Sequence, residues 1–102
     1  MKADIQSRGL ELTEKLKVQI ERKLQFAFHQ LEPQISAISI CISKLEGGVG
    51  MNCRLRISIV SMEDIVIEDT QSTAYVAIDR AMKRASRSVA RKIALLQKQK
   101  NV

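Results

Sequence analysis

The residues best equipped for chemistry lie at the C-terminal end of the chain. Positions 80–102 hold eight Lys and Arg and no Asp or Glu, a local balance of +8. Positions 1–79 sum to −2, so the whole-chain charge of +6 describes a near-neutral body with one strongly positive segment. Cations without compensating acids repel one another along a helix. A surface of this kind suits a polyanion, either nucleic acid or an anionic membrane. Arg80, Arg84, Arg87 and Arg91 recur at steps of four, three and four. At about 100° per residue they form one helical stripe, with Lys83 and Lys92 read as its flanks. Arginine can grip phosphate oxygens bidentately, so the stripe is the candidate site. Lys98 and Lys100 are weaker members near the chain end.

Other chemistry is thinly supported. Cys41 and Cys53 stand twelve positions apart, outside any CxxC pair, and His29 is the single histidine. A zinc site needs four ligands at tighter spacing, so no metal or other cofactor is expected. Glu63-Asp64 and Glu68-Asp69 read as strand ends, and His29 as a surface residue at the polar edge of a helix. No enzyme and no small-molecule substrate are expected. The Gly47-Gly48-Val49-Gly50 run lacks a following Lys-Ser/Thr and leads into a strand, so it is a turn and no phosphate loop. Phe26, Phe28 and Tyr75 are the only aromatics and fit helix core faces or their edges, which argues against base stacking.

The elements that must hold the stripe follow from periodicity. Ala3 and Ile5 alternate with polar residues in a strand over about 2–7. Thr13 is a fitting N-cap for a helix over about 13–32, whose face is Leu16, Ile20, Leu24, Ala27, Phe28 and Leu31. Pro33 ends it. Ile38, Ile40 and Ile42 share one face of a strand over about 35–45. Cys53, Leu55, Ile57 and Ile59 do the same over 51–61. Opposite phases put Cys53 toward the core and Cys41 away from it, which excludes a disulfide between them. After a turn at 61–64, Ile65-Val66-Ile67 is a short strand stopped by Glu68-Asp69. The last helix covers about 72–99, with Tyr75, Ile78, Met82, Ala85, Val89, Ile93 and Leu96 as its core seam.

The order β-α-β-β-β-α predicts an α+β two-layer sandwich of a four-stranded sheet with both helices on one face, as one domain over 1–102. A 45% apolar and 27% charged chain can build a core, which excludes disorder. No apolar run reaches the ~20 residues of a spanning helix. Met1–Ile5 carries no basic segment followed by an apolar stretch, so a cytoplasmic protein is expected. The basic final helix lacks Trp and Phe, and the strands need its apolar face, which disfavours a membrane partner.

Particular residues carry a resemblance. Tyr75-Val76-Ala77-Ile78-Asp79 opens the last helix. Leu12-Thr13-Glu14-Lys15-Leu16 opens the first. Gly47-Gly48, Cys53-Arg54 and Val66-Ile67-Glu68-Asp69-Thr70 lie between them. In this order the sequence resembles the short ribosome hibernation factors, the hibernation-promoting factor and the ribosome-associated inhibitor. These are also labelled sigma-54 modulation or ribosomal subunit interface proteins. The resemblance implies a fold like double-stranded-RNA-binding domains with an added N-terminal strand. It implies binding to the small ribosomal subunit and its 16S-type rRNA, blockage of the mRNA and tRNA channel, and inhibition of translation under stress or in stationary phase. It assigns the rRNA contact to Arg80, Lys83, Arg84, Arg87, Arg91 and Lys92. A nonspecific nucleic-acid-binding or RNA-chaperone module is the alternative. Charge alone does not separate the two, and the oligomeric state is left open.

Overall fold

A computed structural model describes residues 2–100. The strands are β1 (Lys2–Arg8), β2 (Ile35–Lys44), β3 (Met51–Ile59) and β4 (Ile65–Gln71). The helices are α1 (Glu14–Phe28) and α2 (Ala74–Lys100), with a 3-10 segment His29–Gln34 following α1. The sheet order is β1-β2-β3-β4. β1 runs parallel to β2, and the other two pairings are antiparallel. This is the α+β architecture that the element order implies.

Register fixes the two faces of the sheet. Ile40 lies opposite Leu55, and Leu55 opposite Ile67, so one inward row crosses three strands. Ile38, Ile40, Ile42, Cys53, Leu55 and Ile57 are all buried. Ser39, Arg54 and Arg56 alternate with them and are exposed. Ile20, Leu24 and Phe28 from α1 and Ile78, Met82, Val89 and Ile93 from α2 join the same core. A sheet with one apolar face needs covering on that face only, and both helices supply the cover.

The Thr13 side chain accepts a hydrogen bond from the Leu16 amide at 3.1 Å, which confirms the N-cap. The end of α1 differs from the expectation at position 32. The α-helical repeat stops at Phe28 and tightens into the 3-10 segment, with Pro33 inside it. Proline cannot donate the hydrogen bond that a continuing α-helix requires. The tighter turn closes with the Ile35 amide donating to the Glu32 carbonyl, and Leu31 packs against the core.

β4 is longer than expected. Its pairing with β3 continues past Glu68-Asp69, with Asp69 opposite Cys53 and Gln71 opposite Met51. The weak strand preference of acidic residues is overridden by a partner strand that offers a full ladder. The seam of α2 also needs one correction. Tyr75 is 58% exposed and lies outside the core, while Ala77 and Ala81, absent from the expected seam, are completely buried.

The cysteines occupy the faces expected of them and are both free, Cys53 buried and Cys41 partly exposed. Burial, with smaller contributions from Cys41 and Asp69, pushes the Cys53 thiol up to about 12. Thiolate is the reactive form. At pH 8, thiol titration of the native protein should therefore count one fast-reacting group, Cys41, with the second appearing only on denaturation. Two equally fast thiols would contradict the packing around Cys53.

Candidate nucleic-acid interface

Ala77, Ala81, Ala85, Val89 and Ile93 recur at steps of four along α2, and each is buried. This row is narrow at its start, so α2 approaches β3 and β4 closely. The opposite side of the helix must then face outward. Arg80, Lys83, Arg84, Arg87 and Arg91 are all exposed, Arg80 and Arg84 along the edge nearest β4. From Arg80 to Arg91 the stripe rises about 16 Å. Lys92 stands apart from it. Twelve positions beyond Arg80 it has turned about 120°, and it is half-buried on the flank. Lys98 is exposed, and the side chain of Lys100 lies outside the described residues.

The stripe is held at one end. Asp69 is the buried charged residue of β4, 8% exposed. Arg84 Nη1 donates to Asp69 Oδ2 at 3.0 Å and to the Glu68 carbonyl at 2.8 Å. Arg80 Nε lies 3.7 Å from the same carboxylate oxygen, and Gln71 Nε2 donates to Oδ1 at 2.7 Å. The Gln71 hydrogen bond is the main influence holding the Asp69 carboxyl below its usual range, and Arg84 and Arg80 add to it. Partial burial opposes them. The two arginines remain about half exposed while anchored, at 50% and 58% of their side chains, so they can still meet a ligand.

A second carboxylate pins the flank toward α1. Asp79 Oδ2 lies 3.2 Å from Lys83 Nζ, and its Oδ1 3.3 Å from Lys23 Nζ on α1. Hydrogen bonds from Lys83 and then Lys23 hold the Asp79 carboxyl below its usual value. The Lys23 ammonium also sits 4.5 Å from the centre of the Tyr75 ring, a cation–π contact. Arg87 and Arg91 enter no ion pair among the described residues. They are the unneutralised end of the stripe.

The open face of the sheet offers a weaker field. Arg56 is paired with Asp64 at 3.6 Å, and Arg54 lies across from Glu68. Acids stand among its cations, Asp64 beside Arg56 and Glu68 across from Arg54, whereas α2 beyond Asp79 carries none. Among the described residues no group of three or more His, Cys, Asp and Glu side chains could hold a metal ion. None of the described helices is long and apolar enough to cross a membrane.

Two features escaped the sequence reading. Asp69 is an anchor on the inward face and does not end a strand. Its signal was present, because Ile65, Ile67 and Asp69 share one phase of a period of two. Phe26 is 92% exposed and belongs to no core face. It follows Leu24 by two positions, a turn of about 200° away from the buried side of α1. Of the three aromatics only Phe28 is buried.

Over residues 3–94 the sequence matches the family described as sigma 54 modulation protein / S30EA ribosomal protein. The chain belongs to that family. A search of curated protein sequences finds no match. Solved structures share the fold, these two among them. A ribosomal subunit interface protein from Coxiella burnetii superposes with a TM-score of 0.78 at 16% identity, covering 92% of this chain and 99% of that one. The N-terminal domain of Thermus thermophilus Protein Y gives 0.76 at 23% identity, covering 89% and 98%. Sigma 54 modulation and S30EA membership thus accounts for nearly all of the described fold, α2 included.

The Asp69 anchor is testable through acid. A carboxyl held low in the folded state stabilises the fold above its unfolded value, and that contribution drains as pH falls through the lowered folded value. Asp69→Asn should cost about 1–2 kcal/mol in urea unfolding at pH 7, as expected for a partly exposed charge-assisted contact. The gap between wild type and variant should shrink below about pH 4. An equal gap at pH 7 and pH 3 would contradict the anchor.

Proposed function

We propose that the chain is a single ribosome-binding module over 1–102 that binds the small ribosomal subunit through the rRNA backbone. Arg80, Lys83, Arg84, Arg87 and Arg91 make the contact, with Lys92 at its edge. Bound there, it blocks the mRNA and tRNA channel and inhibits translation under stress or in stationary phase. Two supports are the family to which the chain belongs and the subunit-interface protein whose fold it shares. The observation that carries the contact is the unpaired, exposed Arg87 and Arg91 following the anchored Arg80 and Arg84 along α2.

The mechanism is binding without catalysis. Each cation that neutralises a phosphate releases a condensed counterion, so affinity falls steeply with salt. The major groove of an RNA duplex is too narrow for side chains, so a rigid cationic stripe reads shape and backbone spacing. Anchoring Arg80 and Arg84 on Asp69 reduces the rotamer freedom lost on contact. A ligand that occupies the channel excludes mRNA and tRNA sterically and needs no chemical step.

Co-sedimentation with small subunits across a salt series, with duplex DNA as competitor, tests this reading. Saturable binding near one per subunit that survives the DNA is expected. Equal capture by DNA would overturn it in favour of a nonspecific nucleic-acid binder. The informative variant is Arg87→Glu with Arg91→Glu, because a glutamate at position 84 would face Asp69 and disturb the fold. This double variant should stay folded and lose binding at least tenfold. Arg87→Ala with Arg91→Ala should lower the slope of log affinity against log salt by about two. Unchanged binding by either folded variant would remove α2 from the interface.

A further inference from the structure

Phe26 is the most exposed large apolar side chain among the described residues, although Leu24 and Phe28, two positions to either side, are buried. It stands where two open grooves between α1 and α2 meet, of about 830 and 500 Å³, which share Phe26, Ala27 and Ser86. Leu31 and Ala90 line one groove and Met82 the other, so the base is largely hydrocarbon. The rim is cationic, with Arg87 on the first groove and Arg22, Lys23 and Lys83 on the second. The single acid there, Asp79, is already held by Lys23 and Lys83. Arg22 and Arg87 enter no ion pair among the described residues.

An occupant of this groove must offer a flat apolar surface and negative charge close together. A nucleotide does both: its base has a π-face and its phosphates flank it. The tyrosine is already covered by Lys23, so Phe26 is the aromatic face left open. Arg87 belongs both to the groove and to the outward stripe, so the two surfaces are continuous. A strand whose backbone follows the stripe can drop one base between the helices.

We propose that Phe26 is a stacking platform for one unpaired RNA base, with Arg22 and Arg87 holding the phosphates beside it. The proposal deepens the RNA-binding reading and rests on it for the identity of the polymer. It reverses the expectation that no aromatic of this chain stacks on a base. Shape recognition of a duplex does not require Phe26, whereas a splayed-out base gains from it.

The chain contains no tryptophan, so Phe26→Trp introduces a single fluorophore at the site. The probes are a short oligoadenylate, an abasic strand of equal length and purified small subunits. Saturable quenching by oligoadenylate and by subunits, with little by the abasic strand, is the expected result. Phe26→Ala removes an exposed side chain and should melt like wild type while binding oligoadenylate about tenfold or more weakly, with Phe26→Leu rescuing little. Quenching by oligoadenylate without subunit co-sedimentation would support the platform and overturn only the ribosomal assignment. RNA binding with unchanged Trp emission and an unaffected Phe26→Ala variant would overturn the platform. So would a blue shift that depends on protein concentration alone, which would assign the groove to a second copy.

Discussion

Ala77, Ala81 and Ala85 present almost no side chain to the sheet, so α2 lies close over β3 and β4. Everything at the surface depends on that seating. A larger residue in the row would lift the helix and open the core beneath Leu55 and Ile57. The close approach brings Arg84 within reach of the β4 backbone, where it meets the Glu68 carbonyl and Asp69 together. That contact, one guanidinium nitrogen donating to two acceptors, fixes the rotation of α2 about its axis. With rotation fixed, Arg87 and Arg91 face outward as a consequence of helical spacing.

The electrostatic pattern grows from the same arrangement. Two carboxylates, Asp69 and Asp79, anchor Arg80, Arg84, Lys83 and Lys23 at the start of the stripe. Further along α2 there is no acid at all, and the net positive charge accumulates there. The anchored end gives geometry and the unpaired end gives field strength. On the proposed reading, a polyanion would meet a cationic surface already positioned before contact. The groove beside Phe26 adds an apolar element to the same face, which a purely electrostatic surface would lack.

Much of this was readable from residue order. Alternation in β2 and β3 located the inward rows, because only one face of the sheet is buried. The arginine stripe was readable because its spacing matches the helical period. The interior of the Asp69 contact was not, since it depends on two elements meeting. A local reading took Glu68-Asp69 as the end of a strand. The ladder with β3 carried the strand through, and Arg84 made burial of Asp69 tolerable. The end of α1 was misplaced for a related reason: Pro33 forbids the α-helical hydrogen bond but fits a 3-10 turn. Spacing puts Tyr75 in the seam of α2, and its type suits Phe26 to a core face or its edge, whereas the packing of the helices leaves both exposed.

The central claim is that the α2 side of the molecule, and not the open face of the sheet, lies against rRNA. Directed hydroxyl-radical cleavage measures this most directly. In a Cys41→Ser background, a cysteine-tethered iron chelate would be placed by Arg91→Cys on α2 or by Ser39→Cys on the open face of the sheet. Binding through α2 predicts strong, localised scission of small-subunit rRNA from position 91 and weak scission from position 39. Strong cleavage from the sheet face with little from α2 would contradict the account.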